Sequence, residues 1–433
     1  MLETAGETAG GASRTPSIDC GGVLSADPTL KLPQPSRTKT FIFILFVLAL
    51  AVFVGVRFSE SLQGTDFPDF YCAARMLAEG HGHQLYDPDV QRQYQARYSG
   101  RVGTLYIHPP FEAPLYLAVS WLPLRRAYVL WFVLNLAFLA ISLRSLAKDA
   151  LPPWDWRLLL AASLTFVPVL LCLQQGQDSL LLLLFVVLAF IALRRKRAFA
   201  AGCWLALGLF KFQIVLPLAL VIVLTQNRSV TNAFTKGFSL VALTLAGLSA
   251  AISGWSVFNV YPRFLLQLRS QPFAGIIPPA MANFRGLTYF FFRSDRSFWA
   301  IAASSVLCAI ALLIAVTVWK AAQHPSTRDA THDEFDLAFA STVLFAFLVS
   351  YHLNPHDLTL LLLPIAVVLH QTLAGATRLP RSTKAMTLCL LGILFLPLLH
   401  LWALKAGVYA LISVPLLAVF LLSVSIARQS RTR

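Results

Sequence analysis

Apolar runs long enough to cross a bilayer, about 17 residues or more, recur along nearly the whole of this 433-residue chain. No other feature limits the fold as much. Inside hydrocarbon every backbone N–H and C=O must find its partner within the protein, so such runs have to be helices. The composition agrees, with 57% hydrophobic and 13% charged residues, where a soluble domain is about a quarter charged. That excludes a single soluble globular domain, a disordered chain and a disulfide-stapled secreted module. The expected fold class is an all-α polytopic integral membrane protein. The excess of 35 Lys and Arg over 20 Asp and Glu would suggest nucleic acid in a soluble protein. Here the cations sit in short loops between apolar runs, so they set orientation and no nucleic-acid partner is expected. Six cysteines without metal-ligand spacing read as small core residues rather than a disulfide framework.

Residues 1–40, rich in Gly, Ser, Thr, Pro and Ala, read as a disordered cytoplasmic tail. Lys31, Arg37 and Lys39 then precede Phe41–Phe58, an uncleaved first span. Residues 59–109 form a large first extracytoplasmic loop of mixed polarity, with amphipathic helices expected near Asp66–Glu79 and Asp87–Tyr98. Further apolar stretches lie near 110–123, 127–146, 157–173, 178–193, 198–226, 235–252, 298–320, 335–351, 357–373, 386–403 and 407–427. Basic caps at Arg194–Arg197, Lys320 with Arg328, Arg378 to Lys384, and Arg428 to Arg433 read as cytoplasmic, which places 253–297 and Tyr351–Asp357 outside. The run 198–226 is interrupted by Lys211 and Pro217 and reads as two half-helices that enter and return on one side. If Gln174–Asp178 is outside, one of its neighbours is not a full span. About 10 to 13 membrane segments are expected in a domain over 41–427, followed by a basic tail at 428–433. There is no internal repeat, no GxGxxG and no GxxxxGK[ST].

Ionisable and amide side chains among apolar runs are costly, so each is a functional candidate. Asp66 and Asp69, just past the first span, are candidate general bases for a hydroxyl, and equally good helix caps. His108, held by Pro109 and Pro110, would share a water-filled mouth with Glu112 if the segment is helical, or is an interfacial structural histidine. Gln174-Gln175-Gly176-Gln177-Asp178 offers amides to sugar hydroxyls or caps a helix turn. Lys211 either snorkels or pairs with a lipid phosphate. The 253–297 loop carries five arginines (263, 269, 285, 293 and 296) against one acid, Asp295, and so suits an anion, since arginine binds phosphate bidentately. His352, His356 and Asp357 have the spacing of a zinc site, but Pro355 breaks the helix that would need, and an anionic lipid phosphate fits better. These residues gather on one side of the membrane. That suits an enzyme acting on a membrane-anchored phosphate better than a transporter or lipid flippase, whose coupling acids would sit at mid-span. A scaffold without chemistry would leave the basic loop unexplained.

The order Asp66-Phe67-x-x-Phe70-Tyr71-x-Ala73-Ala74, Gly80, Leu85-Tyr86-Asp87, Tyr106-x-His108-Pro109-Pro110, then Leu122-Pro123 before Trp131, resembles glycosyltransferase family 87. Gln175-Gly176-Gln177, Ala201-Gly202 followed by Lys211, Asn283, and Tyr351-x-x-x-Pro355-His356-Asp357 continue the match over roughly 41–427. The resemblance implies a GT-C-type membrane fold and an inverting transfer from a polyprenyl-phosphate sugar, typically mannose, to a cell-envelope glycolipid or glycan. It implies a bacterial plasma (inner) membrane, with the N-terminus cytoplasmic and the active site extracytoplasmic. Asp66 matches the general base, with Asp69 in reserve, and His356 or His352 would engage the carrier phosphate. Tyr71, His108, Gln175, Gln177, Lys211, Asn283, Arg285 and Asp357 are the remaining candidates for substrate contacts. Arg285-Gly286 after Asn283 departs from the family pattern, where a small polar residue is expected. No cofactor or metal is expected, a divalent ion staying open, and membrane lipids surround the chain.

Overall fold

In the computed structural model, residues 52–62, 64–100, 102–152, 154–268, 276–322, 332–374 and 379–429 are described, with positions 47 and 49. The expected N-terminal tail, half of the first apolar run and Arg269 fall outside these residues. Regular structure among the described residues is entirely helical.

The first loop folds as its pattern demands. Helix α1 (Phe67–Ala78) has Pro68 and Asp69 in its first turn and Arg75 in its last, each at its favourable end. Helix α2 (Pro88–Ser99) is capped by Asp87, whose side chain accepts the N–H groups of Asp89 and Val90, and ends at Gly100 with φ of 69°. The two pack together around Glu79, which accepts hydrogen bonds from Arg75 and Tyr94. Amphipathicity understates the burial of α1, where Phe67, Phe70, Ala73 and Ala74 are all essentially inaccessible.

The apolar run at 110–123 is not a span. Pro110–Tyr116 is a 3-10 segment, followed by the single-turn α3 (Leu117–Ser120). Pro114, inside the segment, lacks the N–H that an α-helix would bond there, while Pro109 and Pro110 only fix the entry. Its apolar character serves burial beneath α1, where Tyr116 stacks on Phe70 at 4.6 Å.

Then follow α4 (Leu124–Asp149), α5 (Trp156–Ser163), α6 (Val167–Gln175), α7 (Ser179–Arg194), α8 (Ala198–Leu207), α9 (Phe212–Thr225), α10 (Arg228–Ser253), α11 (Val257–Leu268), α12 (Phe284–Phe292), α13 (Phe298–Ala322), α14 (His332–Val349), α15 (Leu362–Ala374), α16 (Arg381–Phe395), α17 (Pro397–Lys405) and α18 (Ser413–Gln429). Among the described residues five helices are long and apolar enough to cross a membrane, or eight if each bent pair is one span. The bent pairs are α5 with α6 (73°), α8 with α9 (64°) and α16 with α17 (52°), and α7 is a shorter apolar helix. Two of the runs that read as continuous spans, 157–173 and 386–403, are therefore broken, with Pro168 and Pro397 starting the second member of their pairs, while the 198–226 run breaks at Lys211, as its half-helix reading has it.

Helices α7, α14 and α15 form the buried centre, whereas α10 and α13 expose most of their apolar surface, as lipid-facing helices do. Interhelical hydrogen bonds tie this core: Trp319 Nε1 to Thr342 Oγ1 at 2.5 Å, and the Ser341 and Ser423 hydroxyls at 2.7 Å. At the far end of α7, Arg194 bonds Asp336 at 3.0 Å.

Helices α8 and α10 meet at glycines. A Cβ on Gly202 would lie 2.1 Å from the Phe234 carbonyl oxygen, and one on Gly237 2.1 Å from that of Phe199. Close backbone approach of this kind drives association where lipid removes the hydrophobic gain. Gly202→Val should cost at least the ~1–3 kcal/mol of an overpacked core, read as a lower Tm in detergent. Gly247, with open space around it, should accept Ala without loss.

Candidate active site

The helix breaks converge. Asp66 precedes α1, Gln175–Asp178 joins α6 to α7, Lys211 sits in the Leu209–Lys211 turn between α8 and α9, and His352–Asp357 leads into the 3-10 segment Pro355–Leu361. Polar side chains are tolerated here because a break already exposes backbone groups that require partners.

Gly176 makes the convergence possible. Its φ of +66° is left-handed, and a Cβ there would lie 2.6 Å from the Phe67 Cβ, so α1 rests directly on this turn. From α4, Trp131 Nε1 donates to the Gly176 carbonyl at 2.9 Å and the Tyr128 hydroxyl to that of Leu173 at 2.9 Å. The turn is thus fixed against α1 and both its amides reach Asp66. The Asp66 N–H donates to Gln175 Oε1 at 3.1 Å, and Gln177 Nε2 donates to Asp66 Oδ2 at 2.5 Å. Although Asp66 is the N-cap of α1, its side chain makes no capping bond.

The chain of contacts continues inward. Lys211 Nζ donates to Gln177 Oε1 at 3.1 Å and lies 2.8 Å from Asp357 Oδ1 and 3.3 Å from Asp178 Oδ1. Asp357 also accepts from the Ser179 hydroxyl at 2.8 Å and, through Oδ2, from the Asn354 N–H at 2.8 Å. The snorkelling reading of Lys211 is overturned, since its side chain is 3% exposed and held by two carboxylates.

These groups form one wall of a cavity of about 730 Å³, lined by Asp66, His108, Gln175, Gln177, Lys211, His352, His356 and Asp357. The opposite wall is largely apolar and comes from Tyr261, Pro262, Leu265 and Leu266 of α11 with Ile276 and Ile277. The Tyr261 hydroxyl donates to the Ile107 carbonyl at 3.2 Å and anchors this roof.

Other expected site residues are differently employed. Asp69 touches the cavity, but its carboxylate accepts from Gln95 at 2.9 Å and from the Thr104 hydroxyl. The Tyr71 hydroxyl donates to the Leu122 carbonyl. Asn283 caps α12 through the Gly286 N–H and donates to the Ser350 carbonyl at 2.7 Å. Arg285 pairs with Asp295, stacks on the Tyr351 ring and donates to the Tyr351 carbonyl. None of the described arginines of 253–297 lines the cavity, so the segment supplies an apolar roof where its charge suggested an anion site. Tyr261 and Ser179 do not stand out in the sequence, because an aromatic or a serine at a helix end is too common to draw notice.

Electrostatics separate the groups. Burial pushes the Asp66 carboxyl above the ordinary aspartate range, and the hydrogen bond from Gln177 with the charge of Lys211 only partly offsets it. Burial lowers His108 and His352 to about 4 each, so both imidazoles are neutral at neutral pH. His352, one of the two histidines expected to engage the carrier phosphate, is thus a neutral hydrogen-bonding ring.

A model of glycosyltransferase family 87 matches residues 106–350. No curated protein sequence matches the chain. Among solved structures, the crystal structure of ArnT from Cupriavidus metallidurans bound to undecaprenyl phosphate is similar at a TM-score of 0.39 and 12% identity, over 92% of this chain and 79% of that one.

The Lys211 cluster yields a stability prediction. Lys211→Met leaves Asp178 and Asp357 without their cation and should cost about 3–5 kcal/mol, the usual penalty for breaking a buried pair. Adding Asp357→Asn should recover part of that loss. A double-mutant cycle on detergent melts measures it, and simple additivity would show that the pair is not coupled.

Proposed function

The chain belongs to glycosyltransferase family 87, and from that premise we propose that it moves a hexose from a polyprenyl-phosphate carrier to a hydroxyl of a cell-envelope glycolipid or glycan. Mannose is the sugar to test first, as the one the sequence resemblance implies. The carrying observation is Asp66, a partly buried carboxylate at a cavity wall, left uncapped and joined through Gln177 to Lys211. The active site faces outward and the N-terminus lies in the cytoplasm.

The chemistry follows from what each group is able to do. An acceptor hydroxyl loses its proton to the Asp66 carboxylate while its oxygen attacks the anomeric carbon. The bond from that carbon to the carrier oxygen breaks, its electron pair leaves on the phosphate, and the configuration inverts. The phosphate is already a good leaving group, so no general acid is required. Lys211 and the ring N–H groups of His352 and His356 stabilise its charge by fixed hydrogen bonding. Gln177 has two tasks: its amide nitrogen steadies the base and its oxygen accepts from Lys211. The apolar α11 wall suits the carrier chain.

The experiment uses protein in nanodiscs with radiolabelled polyprenyl-phosphate mannose and a membrane-lipid extract. Wild type should form a labelled lipid product, and Asp66→Asn should lower the rate by ~10²–10⁴-fold with an unchanged Tm. Equal transfer by Asp66→Asn would remove Asp66 as base. Label that crosses the bilayer without joining a product would favour a transporter or flippase, the reading suggested by a charge cluster buried at helix breaks.

A pH profile gives a second test. The base works when ionised, so kcat/KM should fall as pH drops through a midpoint above the ordinary aspartate value. Gln177→Met removes a hydrogen bond that favours the ionised form, so its acid limb should move to higher pH. An unmoved limb would separate that limb from Asp66.

A further inference from the structure

Behind the polar wall, and sharing only His108 with the cavity lining, lies a cluster that the proposed transfer does not use. His108 offers Nδ1, and Glu112 and Asp178 each offer a carboxylate oxygen, all within 4.8 Å of one another. His108 Nδ1 is 2.9 Å from Glu112 Oε2, and Lys211 Nζ is 3.3 Å from Asp178 Oδ1. Both acidic side chains are wholly inaccessible. Beyond these two ionic contacts and the one that Glu112 and Asp178 make with each other, none of the four carboxylate oxygens has a hydrogen-bond partner among the described residues, and neither has the adjacent buried Tyr116 hydroxyl.

The local charges do not balance. Ionised together, Glu112, Asp178 and Asp357 would carry three negative charges against the single ammonium of Lys211. A buried carboxylate without a full set of partners is costly, and two acceptor-only groups side by side require something positive between them. One divalent cation would make up that deficit, as would protons held between the two acids.

We propose that His108 Nδ1, Glu112 and Asp178 bind a divalent transition-metal ion of the Mn²⁺, Co²⁺ or Zn²⁺ class. One imidazole nitrogen with two carboxylates suits these metals, whereas Ca²⁺ prefers six to eight oxygen ligands. Bonds of about 2.0–2.2 Å allow two ligand atoms to lie at most about 4.4 Å apart, so side-chain movement is needed to close the site. The ion ties the Pro109–Pro110 segment to the turn carrying Gln177, and so positions the cavity wall without touching the reacting atoms. This site does not depend on the transferase reading.

The test needs no substrate. Full-length protein in nanodiscs, stripped with a chelator and titrated with Mn²⁺, should take up one ion per chain by EPR, and its Tm should rise. Glu112→Gln and Asp178→Asn should each weaken Mn²⁺ by more than the ~10–100-fold that loss of an outer ligand-supporting group costs, and the Tm of each should no longer respond to metal. A wild type that retains no stoichiometric Mn²⁺, Co²⁺ or Zn²⁺, with a Tm indifferent to chelator, overturns the proposal and leaves a proton shared by the two carboxylates. Binding that survives in both variants assigns the metal elsewhere and also overturns it. If neither variant folds, the visible spectrum of Co²⁺-loaded protein decides: it should change in His108→Ala, and an unchanged spectrum refutes the site.

Discussion

A lysine ammonium withdrawn from solvent, with carboxylates at 2.8 and 3.3 Å, dictates where four separate pieces of this chain must meet. Lys211 belongs to the α8–α9 break, Asp178 to the α6–α7 turn and Asp357 to the segment before α15, while Gln177 extends the contact to Asp66 at the start of α1. In a low-dielectric interior, removing any one partner leaves a charge with no compensation. The breaks are therefore held together by the residues they expose, and the cavity is the space those breaks leave beneath the α11 roof.

The neutral rings change the character of the site. With burial lowering His108 and His352, the fixed positive charge on the polar wall comes from Lys211, and the imidazoles act through oriented N–H and N groups. Such a wall needs no proton uptake to meet an anionic carrier, and its dipoles are set before substrate arrives.

Much of this is legible in the sequence because charge among apolar residues is conspicuous. Asp66, Gln177, Lys211 and Asp357 stand out as interruptions of hydrophobic runs, and the two first-loop helices follow from caps and proline placement. Partner choice is not legible. Arg285 has the look of a phosphate ligand, yet Asp295, ten residues on, and the Tyr351 ring claim it. The 110–123 run imitates a span because burial in protein and burial in lipid select the same side chains, and the spacing of Pro109, Pro110 and Pro114 is what separates the two. Asp69 and Asp66 are equivalent by position; the difference arises from Gln95 and Thr104, whose approach depends on how α2 folds back.

The Lys211 cluster also imposes a timetable on biogenesis. Asp178 leaves the ribosome before Lys211, so the lysine has one counter-charge waiting when its broken helix is inserted. Asp357 is synthesised only after five further helices, α10 to α14, have been made. Until then Lys211 lacks its nearest carboxylate, and the polar wall has no final form. The site's polar wall is thus completed only once the chain beyond α14 has joined it.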